Sequence, residues 1–174
     1  MNTTHRILAI AALALLATAC SKQVKETPPP VTDVGGTTTA PVDTGGAAMP
    51  GAYTPPDLDS DACLRQRVIN FDFDQYAVKP EYSAVIACHA KYLRDRPSAR
   101  MTLEGNTDER GTREYNLGLG ERRGNAVSSA LQAAGASAGQ ITVVSYGEER
   151  PLCTDSTEAC WAQNRRVEIV YTAK

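Results

Sequence analysis

Asp108, Asn116 and Arg123 are the residues whose types and spacing could do chemistry in this chain. They lie in and just after the run Gly105-Asn106-Thr107-Asp108-Glu109-Arg110-Gly111. With Tyr115 at zero and about 100° per residue, Leu119, Ala126, Val127, Ala130 and Leu131 fall on one helical stripe. That stripe reads as a core face. Asn116 and Arg123 point into the middle of it. Arginine does not lose its proton and is almost never buried without a partner. Asp108, in the turn before the helix, is the expected partner. A carboxylate, an amide and a guanidinium at one edge of a core make either an internal ion pair or a small polar binding site. As a site it suits a ligand carrying an ammonium beside a carboxylate. Aspartate takes the first, and the planar fork of arginine grips the second with two hydrogen bonds. Backbone N–H groups at the helix start would add to the anion side.

Catalysis finds less support. No serine or cysteine nucleophile stands in a recognisable setting, and no carboxylate pair can be singled out for glycoside hydrolysis. Gly118-Leu119-Gly120-Glu121-Arg122-Arg123-Gly124 resembles a phosphate-binding glycine run, but it sits inside a helical pattern and not at a strand-to-helix turn. Glycine in a helix interior costs about 0.8–1 kcal/mol against alanine, so these residues need a reason. For Gly120 there are two: a notch that lets a ligand reach Arg123, or close packing on a neighbouring strand. Arg122, Arg165 and Arg166 read as structural or surface charges. Asp72 and Asp74, at the end of the first expected strand, are open between the two roles.

The elements that must position these residues follow from periodicity. Ile69, Phe71 and Phe73 alternate with Val68, Asn70 and Asp72, which predicts a strand with one buried face. Pro80 suits the first turn of a helix. Tyr82, Val85, Ile86, His89, Tyr92 and Leu93 keep helical spacing until Arg96-Pro97. His89 on that stripe reads as a satisfied, half-buried side chain. Met101 to Glu104 predict a second strand. Thr112 is the expected N-cap of the second helix and Gly135 its stop. Ile141 to Tyr146 and Val167 to Tyr171 predict two more strands, separated by a loop containing Trp161. The order strand, helix, strand, helix, strand, strand predicts an α+β two-layer sandwich with one mixed sheet and helices on one face. The last two strands are expected to pair antiparallel across the intervening loop.

The ends set the organisation. Residues 1–19 read as a secretory leader, with Arg6 as the positive region and Ile7 to Leu16 as an apolar stretch too short to span a bilayer. Leu16-Ala17-Thr18-Ala19-Cys20 resembles a lipobox, with Ala17 where leucine is usual, so Cys20 is the expected acylation site; ordinary cleavage after Ala19 is the alternative. More than one acyl chain is needed for a stable anchor. Ser21 after the cysteine, by resemblance to bacterial lipoproteins, implies the outer membrane with the chain facing the periplasm. Residues 20–62 are Pro-, Gly- and Thr-rich and predict a disordered linker. Residues 63–174 are expected to form one domain. The formal net charge of -2 and pI of about 5.7 give no electrostatic case for nucleic acid.

The run from Gly105 through Thr107-Asp108, Gly111, Asn116, Leu119 and Glu121-Arg122-Arg123 resembles the signature of the OmpA-like peptidoglycan-binding domain. Phe71-Asp72-Phe73-Asp74-Gln75-Tyr76, Val144-Ser145-Tyr146-Gly147 and Asn164-Arg165-Arg166 extend the resemblance over roughly residues 65 to 172. The resemblance implies a non-enzymatic tether between outer membrane and cell wall. Its implied ligand is the diaminopimelate residue of the peptidoglycan stem peptide, held by Asp108 and Arg123; Asn116 and the backbone around Thr107 are expected to fill the remaining hydrogen bonds. Phe73 and Asp74, on the strand near which the family's ligand passes, are candidate further wall contacts, and Gly120 is another if its notch admits the ligand. Lipoproteins of this family further imply TolB and other Tol proteins as partners, and a role in envelope integrity and cell division. A wall-binding lipoprotein outside the Tol system is the nearest alternative, and a wall-cleaving enzyme a more distant one.

With Cys20 acylated, Cys63, Cys88, Cys153 and Cys160 remain, and an exported chain meets an oxidising compartment. Four cysteines allow three pairings. Cys153 and Cys160 bracket one short loop, and the OmpA C-terminal domain carries a similar bridge there. That favours Cys153 with Cys160 and leaves Cys63 with Cys88. No C-x-x-C pair occurs, and His89 is the only histidine after the leader. Neither a metal nor a cofactor is expected.

Overall fold

The computed structural model describes residues 51–174. The expected leader, the lipobox with Cys20 and most of the expected linker lie outside the described residues. In chain order the elements are α1 (Asp57–Ser60), β1 (Val68–Asn70), α2 (Ser83–Asp95), β2 (Arg100–Asn106), α3 (Arg113–Ala133), β3 (Ile141–Gly147), α4 (Glu158–Asn164) and β4 (Arg166–Ala173). Among the described residues no helix is long and apolar enough to cross a membrane.

Four strands form one mixed sheet in the order β1-β4-β2-β3. β4 runs antiparallel to both β1 and β2, while β2 and β3 are parallel. This α+β sheet with helices packed on it is the expected class, but one pairing differs. β3 and β4 are not neighbours. Residues 148–165 carry α4 and lead the chain past β2, so β4 inserts between β2 and β1 rather than closing a hairpin on β3.

Alternation along the strands sorts the faces. Ile69, Met101, Leu103, Val167 and Ile169 are buried under the helices, and Ile86, Leu93, Val127 and Leu131 meet them from α2 and α3. Each such side chain contributes about 1.5–3 kcal/mol on burial. β1 is shorter than the alternation suggested. Phe71 stays buried, but Phe73 is 54% exposed. The chain turns at Asp74, whose φ of 57° is left-handed, and Gln75 N–H donates to the Asp72 carbonyl.

Residues before 63 are part of the domain. Leu58 in α1 is fully buried, and Tyr53 packs against Tyr92. Asp57 accepts from the Thr54 amide and hydroxyl, which folds the Pro55-Pro56 turn back onto the domain. The composition of 51–62 hid this because one buried leucine and one tyrosine suffice to anchor it. Disulfides join Cys63 to Cys88, with Cα atoms 6.3 Å apart, and Cys153 to Cys160, 5.7 Å apart. The first ties the entering segment to α2, and the second closes the loop before and within α4. His89 is fully buried: Nε2–H donates to the Gln66 carbonyl and Nδ1 accepts from the Tyr171 hydroxyl.

The glycines of α3 have a clear cause. A Cβ on Gly120 would lie 2.3 Å from Ser145 Oγ and 2.9 Å from the Gly105 carbonyl oxygen. One turn on, a Cβ on Gly124 would meet Val143 at 2.5 Å. The helix therefore lies with its backbone against β2 and β3, and a side chain larger than hydrogen would hold it off.

Candidate functional site

That close approach sets α3 over the end of β2, where the chain leaves the sheet through Asn106, Thr107 and Asp108. Thr107 N–H donates to the Gly147 carbonyl at 2.8 Å, which pins the loop to β3. Gly111, at φ 119°, takes the loop into the helix, and Thr112 caps it by accepting from Tyr115 N–H. The result is a pocket of about 220 Å³ between this loop, the first turns of α3, the turn after β1 and Arg165, just before β4. Asp108, Arg123, Asn116, Thr107, Phe73 and Asp74 all line it. Gly120 does not. It packs against Gly105 and Ser145, so of the two readings of that glycine the structure shows close packing.

Arg123 is completely buried. Its Nε donates to the Gln75 carbonyl at 2.8 Å, Nη1 to Asn106 at 2.9 Å and Nη2 to Asp72 at 3.1 Å. Its guanidinium also faces the Phe71 ring at 5.2 Å. Burial pulls its pKa down to about 10, opposed by the nearby Asp108 charge, so it stays protonated at neutral pH. Three of its five N–H groups are engaged in these bonds, two have no hydrogen-bond partner among the described residues, and the side chain lines the pocket.

Asp108 is not the partner of Arg123. Its Oδ1 accepts from the Arg110 amide and Nε at 3.1 and 3.2 Å, and Oδ2 accepts from Arg110 Nη2 at 2.6 Å and Arg165 Nη1 at 3.1 Å. Arginine 123 was expected to need a carboxylate because it is buried; three backbone carbonyls of the post-β1 turn and β2 satisfy it instead. Burial pushes the Asp108 carboxyl up, but Arg110 and then Arg165 more than offset this and hold it below the usual carboxylate range.

The pocket is also lined by Arg110, which the sequence does not single out, and by Arg165, which reads from sequence as a structural or surface charge. Arg165 is 5% exposed and donates to the Phe71 carbonyl, Asp108 and Glu158. Its signal was available: Arg165 stands just before β4, two residues ahead of the buried Val167, and continues the alternation of Val167 and Ile169. Arg166, on the other face, is also buried, donating to Glu168 and to the Asn164 and Arg150 carbonyls. Asn116 is 1% exposed and donates to the Glu148 carboxylate. Tyr115 donates to Asp74 at the rim. The Thr107 hydroxyl, on the pocket wall, is buried without a hydrogen-bond partner. No group of histidine, cysteine and carboxylate side chains among the described residues is arranged to hold a metal ion.

An α+β domain with a charged, partly enclosed pocket at the end of its central strand is a ligand-holding module, and a model of the OmpA family matches residues 70–165. The chain belongs to the OmpA family. Within it the chain falls among the peptidoglycan-associated lipoproteins. It is 43% identical over 123 residues to the peptidoglycan-associated lipoprotein of Pasteurella multocida, covering 71% of this chain and 79% of that one. It is 50% identical over 113 residues to that of Pseudomonas putida, covering 64% and 68%. The crystal structure of the peptidoglycan-associated lipoprotein from Burkholderia pseudomallei superposes with a TM-score of 0.65 at 45% identity, covering 67% of this chain and 99% of that one. As a member of this family the protein is not an enzyme.

Proposed function

We propose that this envelope lipoprotein holds peptidoglycan non-covalently by the zwitterionic end of the diaminopimelate residue. The observation that carries this reading is that Asp108 and Arg123 line one pocket without pairing with each other. An ammonium goes to Asp108, a carboxylate to the two remaining N–H groups of Arg123, and Asn116 and the orphaned Thr107 hydroxyl complete the hydrogen bonds. Phe73 and Asp74 form the outer wall along which the stem peptide leaves. Acylated Cys20 holds the chain in the outer membrane, residues 20 to about 50 serve as the tether, and TolB of the Tol-Pal system is the protein partner.

Asp108→Asn keeps the shape and removes the charge. It is expected to lower co-sedimentation with isolated peptidoglycan by about ten- to a hundredfold, the worth of one hydrogen bond to a charged group. Because the folded pKa of Asp108 is depressed, its charge and the stability it contributes are complete above the ordinary carboxylate range. They are lost as pH falls through the depressed value. Wall binding is therefore expected to be flat from pH 8 to pH 5. Unchanged sedimentation of the Asn variant would remove Asp108 from the site. For the anchor, Cys20→Ala is expected to shift the protein from the outer-membrane fraction to the soluble periplasmic one; a variant that stays with the membrane would place the anchor elsewhere. Co-purification with TolB from the same cell tests the partner.

A further inference from the structure

Asp108 has no acceptor position left for a ligand. Its two oxygens receive four donors, three from Arg110 and one from Arg165, which fills the roughly four lone-pair positions of a carboxylate. The Arg110 guanidinium that supplies two of them itself lies over two rings, 4.1 Å from the Phe73 centroid and 4.1 Å from that of Trp161. A second carboxylate stands beside it: Glu158 Oε2 is 3.7 Å from Arg110 Nη2, with a side chain 64% exposed and outside the pocket lining.

We propose that Arg110 is a resident cation in the ammonium subsite, which a ligand displaces from Asp108 toward Glu158, and that this exchange selects zwitterions over simple amines. The inference rests on the diaminopimelate reading and says how that ligand gets in. A lone ammonium that evicts Arg110 trades one bidentate ion pair for a weaker one and gains nothing further. A ligand that also carries a carboxylate adds the free N–H groups of Arg123, which no amine can use. Glu158 lowers the cost of the exchange, because the displaced guanidinium keeps a counter-ion within a small rotation. Arg165 stays on Asp108, Glu158 and the Phe71 carbonyl throughout and keeps the carboxylate aimed.

Trp161 is the only tryptophan in the chain, so its emission reports directly on the ring that Arg110 covers. The mature chain with Cys20→Ala is titrated with a purified muropeptide containing diaminopimelate, and separately with cadaverine. The wild-type pocket is expected to bind the muropeptide with a change in Trp161 emission and to refuse cadaverine. Arg110→Gln removes the resident cation. It is expected to tighten muropeptide binding about tenfold, as when a competent state populated near 10% becomes the main one, to acquire cadaverine binding, and to lose the emission change. Glu158→Gln is expected to weaken muropeptide binding severalfold. If Arg110→Gln weakens muropeptide binding at an unchanged melting temperature, Arg110 is a ligand contact and the gate is wrong. Unchanged affinity and unchanged Trp161 emission overturn it as well. A wild-type chain that does not bind the muropeptide sinks both this proposal and the diaminopimelate reading, whereas binding that is lost in Asp108→Asn but weakened in Arg110→Gln sinks the gate alone.

Discussion

Arg123→Ala is expected to destabilise the domain by about 3–5 kcal/mol and to abolish wall binding together. The side chain is fully buried and ties three backbone carbonyls, those of Asp72, Gln75 and Asn106, from two separate segments. Alanine leaves the buried Asn106 carbonyl unpaired at about 1–3 kcal/mol, frees the exposed Asp72–Gln75 turn from its tie to β2, and removes the packing of a fully buried side chain. Against a typical stability of about 5–15 kcal/mol that is a large share, and it corresponds to a melting temperature lower by roughly 10–20 °C. Arg123→Lys should fall between, since an ammonium on a flexible stem cannot span the same fork. Circular-dichroism melts and peptidoglycan co-sedimentation on the same proteins check this. A loss below about 1 kcal/mol with binding gone would mean that the guanidinium serves the ligand and not the fold.

Gly105→Ala is expected to prevent folding. A Cβ there would sit 2.0 Å from the Gly120 carbonyl oxygen and 2.6 Å from its carbon. Both are backbone, so no rotamer change relieves the overlap, and α3 would have to lift off β2. That separation also breaks the Gly124–Val143 contact and moves Arg123 away from its carbonyls, so more than about 4 kcal/mol is at stake. Gly118→Ala is the matched control. Its Cβ would meet only Arg122 Nη1, at 3.5 Å, and α3 should gain about 0.5–1 kcal/mol from the better helix former. Soluble yield and melting temperature of the two variants test the pair. A folded Gly105→Ala protein with wild-type stability would show that the helix does not need this approach.

The local rules of helices and strands made most of the framework legible. Thr112 and Gly135 marked the ends of α3 because capping and left-handed stops are local, and the burial of Asn116 and Arg123 followed from the 3.6-residue period alone. What failed needed tertiary information. Nothing near Arg123 in sequence says that the carbonyls of Asp72 and Gln75 will meet it, so a carboxylate seemed the natural partner. Phe73 continues an alternating pattern, and only the left-handed turn at Asp74 takes it out of the core. The pairing of β4 between β1 and β2 depends on where a long connection returns, which periodicity does not encode. The pocket role of Arg165 was missed for a different reason. Its place in the alternation leading into β4 was readable, but sequence alone does not separate an arginine that completes structural ion pairs from one that also lines a pocket.

The Cys63–Cys88 bridge decides how the domain carries mechanical load. A pull arriving from the N-terminal side reaches Cys63 before it reaches the three-residue β1. The covalent link passes that force into α2, thirteen residues packed across the sheet, so β1 is not peeled from β4 one hydrogen bond at a time. In the oxidised protein the weakest strand is therefore out of the line of tension. Under reducing conditions the same pull would unzip β1 first, and the turn after it, which supplies Asp72 and Gln75 to Arg123, would go with it.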